Sequence, residues 1–181
     1  MATAYNGIGD YVILIAMSVH EHKRHARTNL KVGVITASDT RTPETDVSGK
    51  LIRVLFEAAG HQVCYYEILP DELEKISAAI VNNLSNLDAI VVNGGTGISA
   101  RDGSAEVVKS LIDKELEGFG EIFRMLSFNE IGSAAIMSRA IAGVRQGKFI
   151  AALPGSPDAC RLAMEKLIIP EIGHIVSILA K

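Results

Sequence analysis

The sequence predicts an α/β fold of three layers, in which a mostly parallel β-sheet carries helices on both faces. From residue 31 onward, short apolar runs alternate with longer segments whose apolar residues recur at helical spacing. Each of four such runs ends in a polar, glycine-rich or proline-rich cluster, as buried strands of parallel sheets do. No internal repeat or low-complexity linker interrupts the 181 residues, so we expect one domain over residues 30–181.

Four runs predict the strands. Each is rich in β-branched or other apolar residues and is followed by a change to polar residues, glycine or proline. In chain order they are KVGVITAS (31–38), HQVCYYEIL (61–69), DAIVVN (88–93) and KFIAALP (148–154).

Helices are predicted between the strands. The segment Ser48–Ala59 carries one apolar stripe and stops at a glycine. The second strand is followed by DELE (71–74), which fits a capping box with Asp71 as N-cap of the next helix. A third helix follows the glycines after the third strand, with Ser104 as its cap.

The last third of the chain predicts three further helices. Residues 118–128 have helical apolar spacing, and EIGSAAIMSRAIAG (130–143) is rich in small residues and closed by Gly143. Ser156–Leu167 is the last of them, and Pro170 should break or kink the chain after it.

The first part of the chain, residues 1–29, does not share this pattern and predicts an N-terminal arm. Asp10–Met17 can form a short helix, and Met17 is an alternative natural start. Three histidines within HEHKRHAR (20–27) can be read as a metal tract. A solvated arm is the favoured interpretation, because no cysteine or carboxylate follows at matching spacing.

Composition narrows the class of protein. The net charge of −3 argues against a duplex-binding surface, and 5% aromatic residues without tryptophan argue against stacking platforms for single strands. The longest early apolar run, residues 11–17, is far shorter than the roughly 20 residues that cross a bilayer. Two cysteines without a CxxC pattern are expected to be buried thiols. We expect a cytoplasmic protein that binds neither nucleic acid nor membrane.

Polar residues and glycines gather at the predicted carboxyl ends of the strands. Since parallel strands end at the same edge of a sheet, and ligands bind there in open sheets, this edge is the expected site. The clusters after the successive strands are Ser38-Asp39-Thr40, Pro70-Asp71-Glu72, Gly94 to Gly97 with Arg101 and Asp102, and Pro154-Gly155-Ser156-Pro157.

The glycine stretch Gly94-Gly95-Thr96-Gly97 has two interpretations. Without Cβ atoms, its backbone N–H groups can cradle a phosphate at the start of the following helix. It matches neither a Walker A loop nor GxGxxG, and a tight turn between strand and helix explains it equally well.

The nearby charged residues also leave alternatives open. Asp71 and Asp102 beside a phosphate loop indicate Mg²⁺, and for Asp71 this role is compatible with capping. Asp39 and Asp46 are interpreted as turn and cap residues. Arg139, next to Ser138 among small apolar residues, should either pair with a carboxylate or bind an anion.

Several segments of the chain resemble the signatures of the MoaB/Mog molybdopterin-binding family. They are VITASDTRTPETDVSGKLI, NGGTGISARDGSAE, ELEGFGEIFRMLSFNEIGSAAIMSRAIAGV and LPGSPDAC. The match runs in order from about Lys31 to Ile172, and the block over residues 117–144 is closest to the MoaB branch.

The resemblance implies a molybdopterin-binding-domain fold and a part in molybdenum cofactor biosynthesis. Family members of the Mog type are nucleotidyltransferases that adenylylate molybdopterin with ATP and Mg²⁺, giving molybdopterin-AMP and pyrophosphate for a downstream metal-insertion enzyme. Members form homotrimers, which the MoaB type can pair into homohexamers. The alternative is a molybdopterin carrier without catalysis.

By position, Asp71 and Asp102 match the aspartates to which the family assigns metal-assisted catalysis. Spacing and resemblance together assign substrate and nucleotide binding to Ser38, Gly94, Gly95, Thr96, Gly97, Arg101, Ser104, Ser138, Arg139, Pro154, Gly155 and Ser156. The family's usual Arg-Asp-x-Thr-Pro-Glu is RDGSAE (101–106) here, which keeps a hydroxyl but loses the proline that favours a helix start. We expect no covalent enzyme intermediate, because no Ser-His or Cys-His arrangement is evident.

Overall fold

The structure is a computed structural model that describes residues 26–180. Its strands and helices follow in the order β1 (Lys31–Ala37), α1 (Val47–Ala58), β2 (Gln62–Leu69), α2 (Leu73–Leu84), β3 (Ala89–Asn93), α3 (Ser104–Leu111), β4 (Lys114–Glu115), α4 (Glu117–Ile131), β5 (Ile141–Arg145), β6 (Lys148–Leu153), α5 (Pro157–Ala163) and α6 (Ile169–Leu179). The predicted short helix and the histidines of the arm lie outside the described residues. The boundary between arm and domain stays a prediction.

The strands form one six-stranded sheet in the order β2-β1-β3-β6-β5-β4. The pairs β2–β1, β1–β3 and β3–β6 are parallel, whereas β5 and β4 join as antiparallel strands. The predicted mostly parallel sheet is therefore confirmed. The carboxyl ends of the four parallel strands share one edge, and the amino end of antiparallel β5 reaches the same edge.

Two apolar clusters fix the layers. On one face, Val34 and Val91 pack with residues of α1, α4, α5 and α6, and on the other, Ile35 and Val92 pack with residues of α2 and α3. Successive strand side chains point to opposite faces, so each central strand contributes to both clusters. Each large apolar side chain buried in this way stabilises the fold by about 1.5–3 kcal/mol. The strand ends are thereby held as a rigid platform.

The helix predicted over residues 130–143 is wrong. The segment instead forms a 3₁₀ helix over Gly132–Met137 and then enters β5, where Gly143 pairs with Glu115 and Ile150. A Cβ at position 143 would lie 2.6 Å from the carbonyl oxygen of Lys114, so glycine serves close strand packing rather than helix termination. Burial of Ala142 in the sheet, and of Ala140 just before it, overrides their helix propensity.

Two predicted helix caps are also wrong. Helix α2 begins at Leu73, with Glu72 rather than Asp71 at the N-cap position. Helix α3 begins at Ser104 itself, after Gly103. The side chains of Asp71 and Ser104 both lie beside the glycine loop instead. The predicted cap Asp46 is confirmed, because its carboxylate accepts a hydrogen bond of 2.9 Å from the backbone N–H of Gly49.

The C-terminal helical segment differs from its prediction in one respect. Helix α5 ends at Ala163 and continues through a π turn, Met164–Ile168, into α6. Pro170 lies in the first turn of α6, directly after this π turn, and the helical conformation continues past it without a break.

The two cysteines differ in exposure. Cys160 is buried, and its thiol donates to the carbonyl oxygen of Pro154 at 3.1 Å, whereas Cys64 is exposed on the edge strand β2. The prediction of two buried thiols is therefore wrong for Cys64. Within residues 26–180, no helix combines the length and apolarity that a membrane crossing requires.

Candidate functional site

The glycine loop after β3 depends on backbone conformations that favour glycine. Gly94 and Gly95 have φ angles of 91° and 61°, in the left-handed region. A Cβ at Gly94 would collide with the carbonyl oxygen of Ala37 at the end of β1, and the Gly94 N–H donates to the carbonyl of Leu153 at 3.0 Å. The loop therefore lies between the ends of β1 and β6, the two strands that flank β3.

Two polar side chains converge on Gly95. A Cβ there would lie 2.5 Å from Ser104 Oγ and 2.9 Å from Asp71 Oδ1. Both oxygens are buried, and neither has a hydrogen-bond partner among the described residues. A buried polar atom left unpaired costs about 1–3 kcal/mol, so this pair is suited to a ligand that supplies the missing hydrogen bonds.

Asp102 lies at the other end of the loop, beside Gly97. A Cβ at Gly97 would lie 2.8 Å from Asp102 Oδ2, which also accepts a hydrogen bond of 2.9 Å from the Ser99 backbone N–H. Burial pushes the pKa of Asp102 upward, but hydrogen bonds from Ser99 and the Gly97 backbone, with the charge of Arg139, lower that pKa overall. This carboxylate is held in its ionised form.

The Asp71 carboxyl has the opposite tendency. Burial, followed by the negative charges of Asp39 and Asp102, raises the pKa of Asp71 above its usual value. Asp39 is itself part of this group, since its Oδ1 accepts from the Asp71 backbone N–H at 3.1 Å and its Oδ2 pairs with Arg101 Nη1 at 2.8 Å. A cation placed beside Asp71 would relieve this repulsion.

The glycine loop lines a cleft of about 330 Å³. Its walls are Gly94, Gly95, Thr96, Gly97, Asp102, Met137, Ser138, Pro154 and Gly155. The structure thus brings together loops after β3 and β6 with the segment that precedes β5. Met137 was not predicted as a site residue, because the predicted helix over residues 130–143 hid the approach of this segment to the sheet edge.

A second cleft of about 590 Å³ lies at the ends of β1 and β2. Ser38, a predicted site residue, lines it together with Asp39, Arg41, Thr42 and Tyr66. The sequence predicts no binding role for these other four residues. Asp39, through its contacts with Arg101 and the Asp71 backbone, connects this cleft to the glycine loop. The only sequence signal for Asp39 was its place after the first strand.

Ser38, Arg101 and Ser156 do not line the glycine-loop cleft, and each already has a structural contact. Ser38 Oγ accepts from the backbone N–H groups of Thr40 and Arg41. Ser156 caps α5 by accepting from Ala159 N at 3.3 Å. The Arg101 side chain is 80% exposed and pairs with Asp39. Their roles in binding stay predictions.

The sequence leaves two roles open for Arg139, pairing with a carboxylate or binding an anion, and the structure shows the pairing with a carboxylate. Its Nη1 contacts Glu106, and its Nε and Nη2 donate to the backbone carbonyls of Thr96 and Asp102. The adjacent Ser138 Oγ is buried without a partner among the described residues.

A metal ion here would depend on the substrate for part of its ligand shell. No group of three or more histidine, cysteine or acidic residues in the described part of the chain is arranged to hold a metal. Asp71 and Asp102 alone offer two carboxylates, which fits the way Mg²⁺ is bound through one or two carboxylates, substrate phosphates and water.

Comparison with protein families identifies the domain. A family described as "Probable molybdopterin binding domain" matches residues 33–174. The chain belongs to this family. The resemblance to MoaB and Mog proteins predicted from the sequence is confirmed by both curated relatives and solved structures.

Relatives of this molybdopterin-binding domain match over nearly their whole length. "Molybdenum cofactor biosynthesis protein B" of Halalkalibacterium halodurans is 53% identical over 163 residues, covering 88% of this chain and 96% of the relative. The protein of the same name in Bacillus subtilis is also 53% identical over 163 residues, with the same coverage.

Solved structures agree with this molybdopterin-binding fold. A crystal structure of molybdenum cofactor biosynthesis protein B superimposes with a TM-score of 0.83 at 48% identity, covering 86% of this chain and 98% of the other. The tungsten cofactor synthesizing protein MoaB from Pyrococcus furiosus gives a TM-score of 0.77 at 37% identity, covering 86% and 100%.

Proposed function

We propose that this protein acts in molybdenum cofactor biosynthesis as a molybdopterin adenylyltransferase. The observation that carries the proposal is the convergence of Asp71 and Asp102 on a glycine loop that leaves buried polar atoms unpaired. The names of relatives at about half sequence identity support the biosynthetic role. The glycine loop and its aspartates support the chemistry, which is transfer of the adenylyl group of ATP between charged phosphates.

In the proposed reaction, the terminal phosphate oxygen of molybdopterin attacks the α-phosphorus of ATP. A new P–O–P bond forms, the bond between the α-phosphorus and the oxygen bridging to the β-phosphorus breaks, and pyrophosphate leaves. Such transfers depend mainly on positioning the two phosphates and neutralising their charge, with little covalent chemistry for the protein to perform.

The loop backbone supplies part of the positioning. The N–H of Gly94 is used by Leu153, and that of Gly97 faces the Asp102 carboxylate. We therefore assign phosphate binding chiefly to the N–H groups of Gly95 and Thr96, with Ser104 Oγ as a hydroxyl donor beside them. This narrows the cradle predicted over Gly94–Gly97 to its central residues.

The two carboxylates supply the electrostatic part. When bound, Mg²⁺ would neutralise phosphate charge, and Asp71 and Asp102 would hold it with substrate oxygens and water completing its shell. Asp102 is already ionised through its hydrogen bonds. The ionised form of Asp71 is repelled by the charges of Asp39 and Asp102, and a nearby cation would relieve this repulsion. Asp71 therefore favours the state of the site in which Mg²⁺ is bound.

The decisive experiment incubates the full chain with molybdopterin and MgATP and detects molybdopterin-AMP and pyrophosphate by mass spectrometry. Asp102→Asn keeps the shape but removes the charge, so turnover should be lost while molybdopterin still binds. Asp158→Asn is the matched control, because that aspartate is 86% exposed on α5. Molybdopterin binding without ATP consumption by the unaltered chain would refute the activity and favour the carrier role.

We also propose that the protein is a homo-oligomer, for which the trimer and the hexamer stay the expected forms. Large apolar side chains of α4 and the 3₁₀ helix are between 44% and 84% exposed, and they are Ile122, Met125, Phe128, Ile131, Ile136 and Met137. Three of them, Met125, Phe128 and Ile136, line one apolar cleft, as clustered rather than scattered surface residues do. Such a surface is suited to burial against copies of the same chain.

A further inference from the structure

Arg139 reaches the glycine loop from the segment that precedes β5. Its Nε donates to the carbonyl oxygen of Thr96 at 3.1 Å, and its Nη2 donates to that of Asp102, also at 3.1 Å. Its Nη1 contacts the carboxylate of Glu106 in the first turn of α3. One guanidinium group therefore connects three places: Thr96 at the start of the segment over residues 96–102, Asp102 at its end, and the helix α3 that follows.

These contacts determine where Asp102 lies. Residues 97–101 connect the two carbonyls that Arg139 binds, and within them Ser99 N–H holds Asp102 Oδ2 at 2.9 Å. The Ser104 N–H adds a bond of 2.9 Å to the Gly95 carbonyl. With the Asp102 carbonyl fixed by Arg139 and its carboxylate fixed by Ser99, the residue has little freedom to turn away from Gly97.

The charge of Arg139 is matched within the protein. Glu106 supplies a carboxylate directly, so the guanidinium is not left as an isolated cation awaiting a substrate anion. Its planar group also presents several N–H donors in fixed directions, which a lysine ammonium cannot reproduce. This arrangement is suited to holding the backbone in place.

We propose that Arg139, fixed by Glu106, is a positioning residue that keeps the loop over residues 96–102 in its productive shape. It acts through Asp102 and the loop backbone, without contacting the reacting phosphates. The role in loop geometry stands on the contacts alone, whereas its effect on turnover rests on the proposed adenylylation.

The loop contains its own reporter. Arg101 is 80% exposed, so trypsin can cleave after it whenever the loop opens enough to enter the protease. We would measure cleavage after Arg101 by mass spectrometry, and hydrogen exchange of the loop amides, in the full chain. Both should accelerate in Arg139→Gln and Arg139→Lys, and by a smaller factor in Glu106→Gln.

Arg161→Gln is the matched control. This arginine also pairs with carboxylates, but it lies on the outer side of α5 with 41% of its side chain exposed. Its removal should leave cleavage after Arg101 unchanged. Because Glu106 is 55% exposed, Glu106→Gln should fold even if an Arg139 variant does not, and it tests the same contact.

The kcat and KM of the Arg139 variants distinguish a positioning role of this arginine from a role in binding a substrate anion. With the loop loosened, kcat should fall by about a hundredfold in Arg139→Lys, the loss that follows from a displacement of about 1 Å, while KM changes little. If Arg139 instead bound a substrate phosphate, Arg139→Lys would keep most activity, and Arg139→Gln would raise KM with loop cleavage unchanged. That result, or unchanged loop exchange in every variant, would overturn the proposal. A loosened loop in a chain that never adenylylates molybdopterin would refute the activity alone.

Discussion

Gly95→Ala is the sharpest test of the proposed phosphate binding by the glycine loop. Gly95 has a φ of 61°, and an alanine in this left-handed conformation loses about 1–2 kcal/mol. The new Cβ would also lie 2.5 Å from Ser104 Oγ and 2.9 Å from Asp71 Oδ1, and forcing such groups apart costs a further 1–3 kcal/mol, roughly. We expect the free energy of unfolding to fall by about 2–5 kcal/mol in all.

Gly60→Ala separates strain from crowding. Gly60 also has a left-handed φ, 83°, but nothing lies within 4 Å of a Cβ there. Its substitution should cost only the conformational part, about 1–2 kcal/mol. Urea unfolding gives both free energies, provided that the slope against urea stays constant. Isothermal titration with MgATP should show weaker binding for Gly95→Ala alone. Equal losses of stability with unchanged binding in both variants would refute the proposed convergence of Asp71, Gly95 and Ser104.

Three further predictions use other parts of the molecule. Because the pKa of Asp71 is raised in the folded protein, its ionised form opposes folding above that pKa, and the opposition fades as the pH falls toward about 4. Asp71→Asn should therefore raise the urea midpoint at pH 7, and a midpoint that does not approach that of the unaltered chain in acid would contradict this sign. Asp46→Ala should lower the free energy of unfolding by about 2–4 kcal/mol, because it removes a helix cap and leaves the hydroxyls of Thr36 and Tyr66 without their buried acceptor. Asp158→Ala on the surface is its control, and equal midpoints would show that the Asp46 network contributes nothing. Phe128→Glu should yield a smaller species in analytical ultracentrifugation, whereas Val81→Glu, exposed on the opposite face of the sheet, should not. An unchanged sedimentation coefficient for Phe128→Glu would place the subunit contact elsewhere.

The central sheet was predictable because its strands are buried on both faces. Residues such as Val34 and Val91 lie in uninterrupted apolar runs, and a run of this kind has few alternatives in a chain whose helices are amphipathic. The antiparallel addition was not predictable in this way. β5 has only five residues and follows a run of small residues that extends the helical pattern, and β4 has only two residues, so neither leaves a periodic pattern of its own.

In the candidate site, the positions of the residues could be predicted from the sequence, but the contacts that orient them could not. Asp71, Gly95 and Asp102 each follow a predicted strand along the chain. Their position at one sheet edge then follows from the parallel arrangement of those strands, which the sequence pattern predicts. The contacts that orient them join residues far apart in the chain, as Arg139 does with Glu106 or Asp39 with the Asp71 backbone. Local spacing instead favoured Asp71 as a cap, because a capping pattern depends on four neighbouring residues and contains nothing about tertiary contacts.

The unequal exposure of the two cysteines gives the molecule one thiol that is accessible for covalent attachment. Burial raises the pKa of the Cys160 thiol to about 12, so it is almost wholly protonated and unreactive at neutral pH. Cys64 is exposed near the amino end of β2, at the sheet edge opposite the glycine loop. A maleimide-coated sensor would therefore capture the unmodified chain in one orientation, with the edge that carries the glycine loop directed toward the solution.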